Sequence, residues 1–251
     1  MKSVTRSLFA LWVIFKHEFS LYFISPIVYF IGAAWLFFAG LFFSLSFTNF
    51  NTGLGEPSMI STLSPLAFLM IFIAPALTMR LLAEEIRTGT HELLFTAPVR
   101  DWEIVVGKWL GAWGVVTIFI LLTLPYSFLL VWRGSPDQGM ILTGYLGLWL
   151  LSGAVLGVGV FASSLTQYQL VAFMVSMAIL IFLWVSDAVV SLINNPLVGD
   201  ILRELTITSH YHQTMLTRGL IDPVDVAYFV ALMAVSLFLA TQTLGTRRWR
   251  A

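Results

Sequence analysis

RLLAEEIRTGTHELLFTAPVRDWEIVVGK, residues 80–108, is the stretch that decides how the rest of the chain must be arranged. It holds Glu84, Glu85, Glu92, Asp101 and Glu103, five of the 13 acidic residues, and Arg80, Arg87, Arg100 and Lys108, four of the 13 basic ones. Elsewhere the sequence is an oil: 59% of the 251 residues are hydrophobic and only 10% are charged. A charged side chain at the centre of a bilayer costs roughly 2.5–3.5 kcal/mol even on insertion scales. The stretch is therefore a solvated connection between two membrane spans.

Within it, Ile86, Leu93, Leu94 and Ala97 fall on one face of a helix, with Glu84, Thr88, His91, Glu92 and Phe95 on the other. That spacing predicts a helix over 84–97. Glu84 and Glu85 sit where a helix N-terminus favours negative charge. Pro98 stops the helix, and Asp101 is placed to N-cap the next one, with Glu103 in its first turn. Two readings fit. Either the segment is an amphipathic loop joining two spans, or it is a docking helix that offers its polar face, Phe95 included, to a partner.

Composition excludes most other classes. With 21 Phe and 9 Trp, a soluble domain of this length would not stay in solution. The formal charge is zero, so no global field draws in nucleic acid. The absence of cysteine excludes disulfides, thiolate catalysis and cysteine-ligated metals. The length accommodates about six spans, each of roughly 20 residues at a 1.5 Å rise.

Working outward, residues 2–23 carry an apolar repeat of 3.6 through Val4, Leu8, Leu11, Trp12, Phe15, Phe19, Tyr22 and Phe23. Lys16, His17 and Glu18 interrupt it, and no cleavage site of the small-residue type follows. The segment reads as an interfacial helix on the membrane surface, or as an extension of the first span. Spans are expected at 27–47, 63–82, 102–131, 140–163, 170–190 and 226–244. Pro75 should kink the second. The third exceeds the bilayer, so its first turns, with Glu103 and Lys108, should project into water. Gly107, Gly111 and Gly114 give it a smooth side, and Gly153 and Gly157 do the same for the fourth. Asp187 near the end of the fifth either contacts a substrate or proton or snorkels to the interface.

Residues 191–224 form the longest segment on the other side of the membrane. Its end, Arg218-Gly219-Leu-Ile-Asp222-Pro-Val-Asp225, reads as a helix start. Asp222 is the N-cap, Pro223 takes N1, Asp225 lies near unpaired N–H groups at N3, and Gly219 permits a turn. Ten basic residues (Lys2, Arg6, Lys16, Arg80, Arg87, Arg100, Lys108, Arg247, Arg248, Arg250) fall on one side of this arrangement. Three (Arg133, Arg203, Arg218) fall on the other. The positive-inside rule puts both termini and the charged stretch in the cytoplasm.

The usual catalytic and nucleotide-binding motifs are missing. No G-x-x-x-x-G-K-[ST], H-E-x-x-H or G-x-S-x-G occurs, so the chain carries no phosphate loop of its own and no recognised hydrolase site. His210-x-His212 lacks a third ligand nearby in sequence. No metal or cofactor is expected on this chain, and no enzymatic activity.

From Glu84 to Leu110 the order E-E-x-R-T-G-T-x-E-L-L-x-T-x-P-V-x-D-W-E-I-V-x-G-K-x-L resembles the cytoplasmic loop of ABC-2 type transporter permeases. It is most similar to the subgroup of gliding-motility and nitrous-oxide-reductase-maturation permeases. Arg218–Phe229 is similar to the segment before the last span in the same subgroup. The resemblance implies an all-α integral membrane protein, similar to type V exporters, with six transmembrane helices, an N-terminal interfacial helix and a cytoplasmic coupling helix at 84–97. It implies a bacterial or archaeal cell membrane, two ATP-binding subunits that hold ATP and Mg, and a second permease copy or relative. An auxiliary or extracytoplasmic subunit is also implied. The ATPase contact then falls on Glu84, Glu85, Arg87, Thr88, His91, Glu92 and Phe95, with Lys16, His17 and Glu18 at its rim. By the same resemblance the dimer contact is built from spans one and five, through Phe30, Trp35, Phe37, Met174, Met177 and Trp184, with the Gly153/Gly157 seam inside one subunit. A non-translocating mechanotransmission module and an ATP-independent secondary transporter are the alternatives.

Overall fold

A computed structural model describes residues 2–53, 58–89, 99–190, 202 and 204–248. Among them every regular element is a helix: α1 (Lys2–Ile24), α2 (Pro26–Asn51), α3 (Ile60–Thr78), α4 (Ala83–Thr88), α5 (Asp101–Leu121), α6 (Leu124–Arg133), α7 (Gln138–Leu165), α8 (Gln169–Val190), a π-helical turn at Ser209–Leu216, and α9 (Pro223–Arg248). Among the described residues seven helical segments qualify as membrane spans by length and composition, α5 and α6 together as one and α1 among them.

α7 is the axis of the bundle. Its glycines let neighbours approach on several sides. Leu63 and Leu216 lie against Gly144, Met215 and Tyr211 against Gly147, and Met233 and Trp113 against Gly153, while Met233 and Ser236 border Gly157. Lipid gives helices no hydrophobic drive to associate, so such close van der Waals contact supplies the cohesion. The Gly153/Gly157 seam thus faces α5 and α9 of the same chain. Trp109, Trp113 and Trp149 stack between α5 and α7, with centroids 4.7 and 4.3 Å apart. Their indole N–H groups donate to Gly153 O, Trp149 O and Thr117 Oγ1, leaving no indole donor in apolar surroundings.

Expected spans one, four, five and six fall inside α2, α7, α8 and α9. Two others need correction. The second ends at Thr78, short of residue 82, and Met79–Leu82 forms a turn. Pro75 has no N–H for the carbonyl of Ile71, and the helix gives out within a turn of it. The third, expected unbroken over 102–131, is interrupted at Leu122–Thr123 because Pro125 begins a new first turn. There the Thr123 N–H turns to the Ile120 carbonyl (3.0 Å), and the Phe119 carbonyl accepts the Trp35 indole N–H (3.0 Å). The start of α5 also differs by one residue. Arg100 occupies the N-cap position, Asp101 is helical, and the Glu103 carboxylate accepts the Arg100 N–H (3.0 Å).

α1 follows the first half of α5. Ile14 lies over Gly107, Glu18 over Gly111, and Phe15 and Phe19 over Gly114, so the smooth side of α5 is the seat of α1. α2 takes over further along, where Phe119 covers Gly32 and Phe43 stacks on Tyr126 at 5.0 Å.

Candidate functional site

The charged stretch and the end of α1 meet at one end of the bundle. α4 is attached there through its N-terminus. Ser163 Oγ, on α7, accepts the N–H groups of Leu82 (3.1 Å) and Ala83 (3.0 Å) and donates to the Met79 carbonyl (3.1 Å). One hydroxyl thereby satisfies two of the amides a helix start leaves open. Ala83 is buried beneath it.

α4 stops at Gly89, which has φ of 74°. A residue with a Cβ is strained in that left-handed region, and glycine is the usual helix terminator there. The helix expected over 84–97 is therefore not continuous. His91, Glu92 and Phe95, assigned to its polar face, lie outside the described residues.

The other assigned contacts divide in two. Glu84, Arg87 and Thr88 on α4 are exposed, as are Lys16 and His17 on α1. Glu84 and Arg87 approach to 3.9 Å, an exposed pair worth at most about 1 kcal/mol. Glu85 and Glu18 instead turn inward, which corrects their assignment to an outer contact. Both bond to Lys108 of α5: the Nζ–Glu85 Oε1 distance is 2.8 Å, and Glu18 Oε1 is in direct hydrogen-bond contact. Lys108 is only 4% exposed and Glu103 3%, so the first turns of α5 do not project into water as their charge suggests. Their charges are met inside the chain.

Beside the triad is a cavity of about 270 Å³, lined by Glu18, Tyr22, Arg80, Glu84, Glu85 and Lys108 among others. Arg80 donates to Ser25 Oγ (3.2 Å), and its guanidinium lies 5.3 Å from the centre of the Tyr22 ring. Tyr22 in turn donates to the Leu77 carbonyl (2.8 Å).

At the opposite end Asp222 caps α9 as expected, accepting the Val224 N–H (2.9 Å), and Gly219 has φ of 64°. Arg218 is exposed. Asp225 departs from the expected role: it is buried, and its Oδ1 lies 2.7 Å from His210 Nδ1. His210 stacks on Tyr228 at 4.1 Å, and its Nε2 is 3.1 Å from the Glu204 carbonyl. Sequence spacing gives no hint of this pairing. In the same turn burial, and after it the Tyr145 phenol, pushes the Tyr211 phenol well above its usual range, so it stays a neutral packing group. The side chain of Asp187, residues 191–201 and the stretch before Glu204 other than Leu202 fall outside what is described. Among the described residues no group of three or more His, Asp or Glu is placed to hold a metal.

Of the residues assigned to a subunit contact, Phe30, Phe37 and Met174 are exposed, and Met177 and Trp184 are half-buried. Trp184 packs edge-on against Phe68. Trp35 is wrongly assigned: it is fully buried against α5, held by its bond to Phe119.

A family model described as "ABC-2 family transporter protein" matches residues 12–249. No curated protein matches the chain.

Proposed function

The chain belongs to the ABC-2 family of transporter proteins, and from that premise we propose that it is the permease subunit through which a separate ATP-binding subunit drives transport. It is a multi-pass membrane protein and the membrane component of an ABC transporter. Membership implies an ATP-binding partner. In this reading ATP and Mg are bound by that partner, two copies per complex, and this chain does no chemistry itself. A second permease copy or a relative completes the pathway, and an extracytoplasmic or auxiliary subunit accompanies it. The loop motif supports the gliding-motility and nitrous-oxide-reductase-maturation subgroup within the family, and with it a bacterial or archaeal cell membrane. The basic-residue asymmetry supports cytoplasmic termini and a cytoplasmic α4. α1, which qualifies as a span by length and composition, is read as surface-lying, because it accompanies only the charged first half of α5 before α2 takes over.

The observation that carries the proposal is α4. A six-residue helix is too short to be stable alone, yet this one is anchored to α7 by Ser163 while Glu84, Arg87 and Thr88 stay exposed. An anchored helix with an exposed polar face is suited to receive a partner. Motion of the ATP-binding pair would press on that face, and α3 and α5 would carry it into the bundle. The test is co-purification of the ATP-binding subunit with Arg87→Glu and Thr88→Trp permeases. Both should lose at least about tenfold in association, or about 1.4 kcal/mol, while the permease remains monodisperse in detergent. Undiminished association by both variants would reject α4 as the docking element.

A further inference from the structure

α1 and α5 meet along a surface of close packing. Gly107, Gly111 and Gly114 receive Ile14, Glu18, Phe15 and Phe19 of α1, a van der Waals contact that seats α1 on α5 but does not reach α4. α4 is held at its start by Ser163, with nothing in that bond to tie it to α1 or α5. One side chain joins all three. Lys108 projects from α5 and holds Glu18 of α1 and Glu85 of α4, with residue exposure of 4% for Lys108 and 9% for Glu18.

Stability alone is a poor reason for such a cluster. Apolar side chains of the same volume commonly hold a buried site at least as well as ions do, because desolvation offsets the Coulomb attraction. What an ion triad adds is geometry, since it is satisfied in one register and penalised in others. Nor does the cluster call for an outside charge. Glu18 and Glu85 face Lys108 and, across the shared cavity, Arg80, while Glu84, which also lines it, pairs with Arg87 at 3.9 Å.

We infer that Lys108 is a positioning residue that locks α1, α4 and α5 into one mechanical unit, so that force received by α4 displaces α1 as well as α5. The inference rests on the docking role proposed for α4. α1 is thus a driven element. Without the lock, α4 moves against Ser163 and α7 while α1 stays on its glycine seat, held at its end to the stretch before α4 by Tyr22–Leu77 and Arg80–Ser25.

Hydrogen–deuterium exchange of the permease in lipid nanodiscs, with its ATP-binding subunit and with or without ATP and vanadate, tests this directly. In the wild type, nucleotide should change exchange both at 83–88 and at 14–24 of α1. In Glu85→Ala the Lys108–Glu18 contact remains, so α1 should keep its nucleotide-free protection, yet its nucleotide response should vanish while that of 83–88 persists. Lys108→Met should abolish the α1 response too, and raise its basal exchange about tenfold, the scale of a lost hydrogen bond to a charged group. A purely stabilising Lys108 predicts no such split between α1 and α4. An α1 response in Glu85→Ala equal to that of the wild type overturns the inference and leaves docking intact. A wild type whose 83–88 segment ignores nucleotide overturns the docking reading itself, and the inference with it.

Discussion

The His210 imidazole Nδ1 lies 2.7 Å from Asp225 Oδ1, fastening the π-helical turn to the first turn of α9 where both side chains are more than nine-tenths buried. The ring also stacks on Tyr228, so one residue holds α9 by a polar and an aromatic contact. The two partners are fifteen residues apart, and the turn between them contains Gly219 at positive φ. The Ser209–Leu216 turn is thereby fixed to the start of α9 at this end of the bundle.

Asp225→Ala should lower the thermal midpoint of the purified protein, because it strands His210 Nδ1 in a buried site at a cost of about 1–3 kcal/mol. Asp225→Asn retains an acceptor and should lose less. Equal midpoints for the wild type and the alanine variant would mean that the pair contributes nothing.

The two glycine seams should respond differently to a methyl group. A Cβ on Gly111 would sit 2.8 Å from Glu18 Cβ and 3.3 Å from the Phe19 backbone nitrogen, so Gly111→Ala must push α1 off its seat. Overpacking of this kind costs about 1–3 kcal/mol. At Gly157 the nearest atom is 3.5 Å away, an ordinary contact. Gly157→Ala should therefore be neutral, or stabilising by up to about 1 kcal/mol through the gain in helix propensity. Thermal melts of the two variants, with proteolysis of α1 as a second readout, check the contrast; the reverse order would contradict the packing.

The surfaces of α2 and α8 can be tested in a chain that has no cysteine of its own. Single cysteines at Phe30, Phe37 and Met174 should form disulfide-linked dimers in membranes if those faces meet a second copy. A cysteine at Trp35 should not, since that position is buried against Phe119. Trapping at Trp35, or along Gly153–Gly157 in place of the other three, would show the surfaces to be differently used.

Much of this architecture is legible from the sequence because membrane insertion and helix capping act locally. Long apolar runs, the Asp222-Pro223 start and the glycine seams each declare themselves within a few residues. Two local signals were there but outweighed. Gly89 follows Thr88 as a terminator, yet the apolar repeat continues past it through Leu93 and Ala97. Pro125 marks the break in the third span, but the surrounding hydropathy masks it. The place of Trp35 is not legible locally, because a bulky apolar residue on a span suits lipid, a partner and the core equally; its neighbour Phe119, 84 residues away, decides. The Lys108 triad and the His210–Asp225 pair are likewise joined by the fold alone. Charge near a membrane boundary suggested water, where the structure supplies an internal counter-charge.

The bond between Glu18 and Lys108 has a further consequence for biosynthesis. The two residues are 90 positions apart, so a ribosome adding about 5–20 residues per second needs roughly 5–20 s to make the second after the first. Throughout that interval the newborn α1 has neither its basic partner nor the glycine groove that receives it. It must wait at the membrane, and its final seating follows the arrival of a helix made much later. α1 thus reaches its place only after a helix translated well behind it.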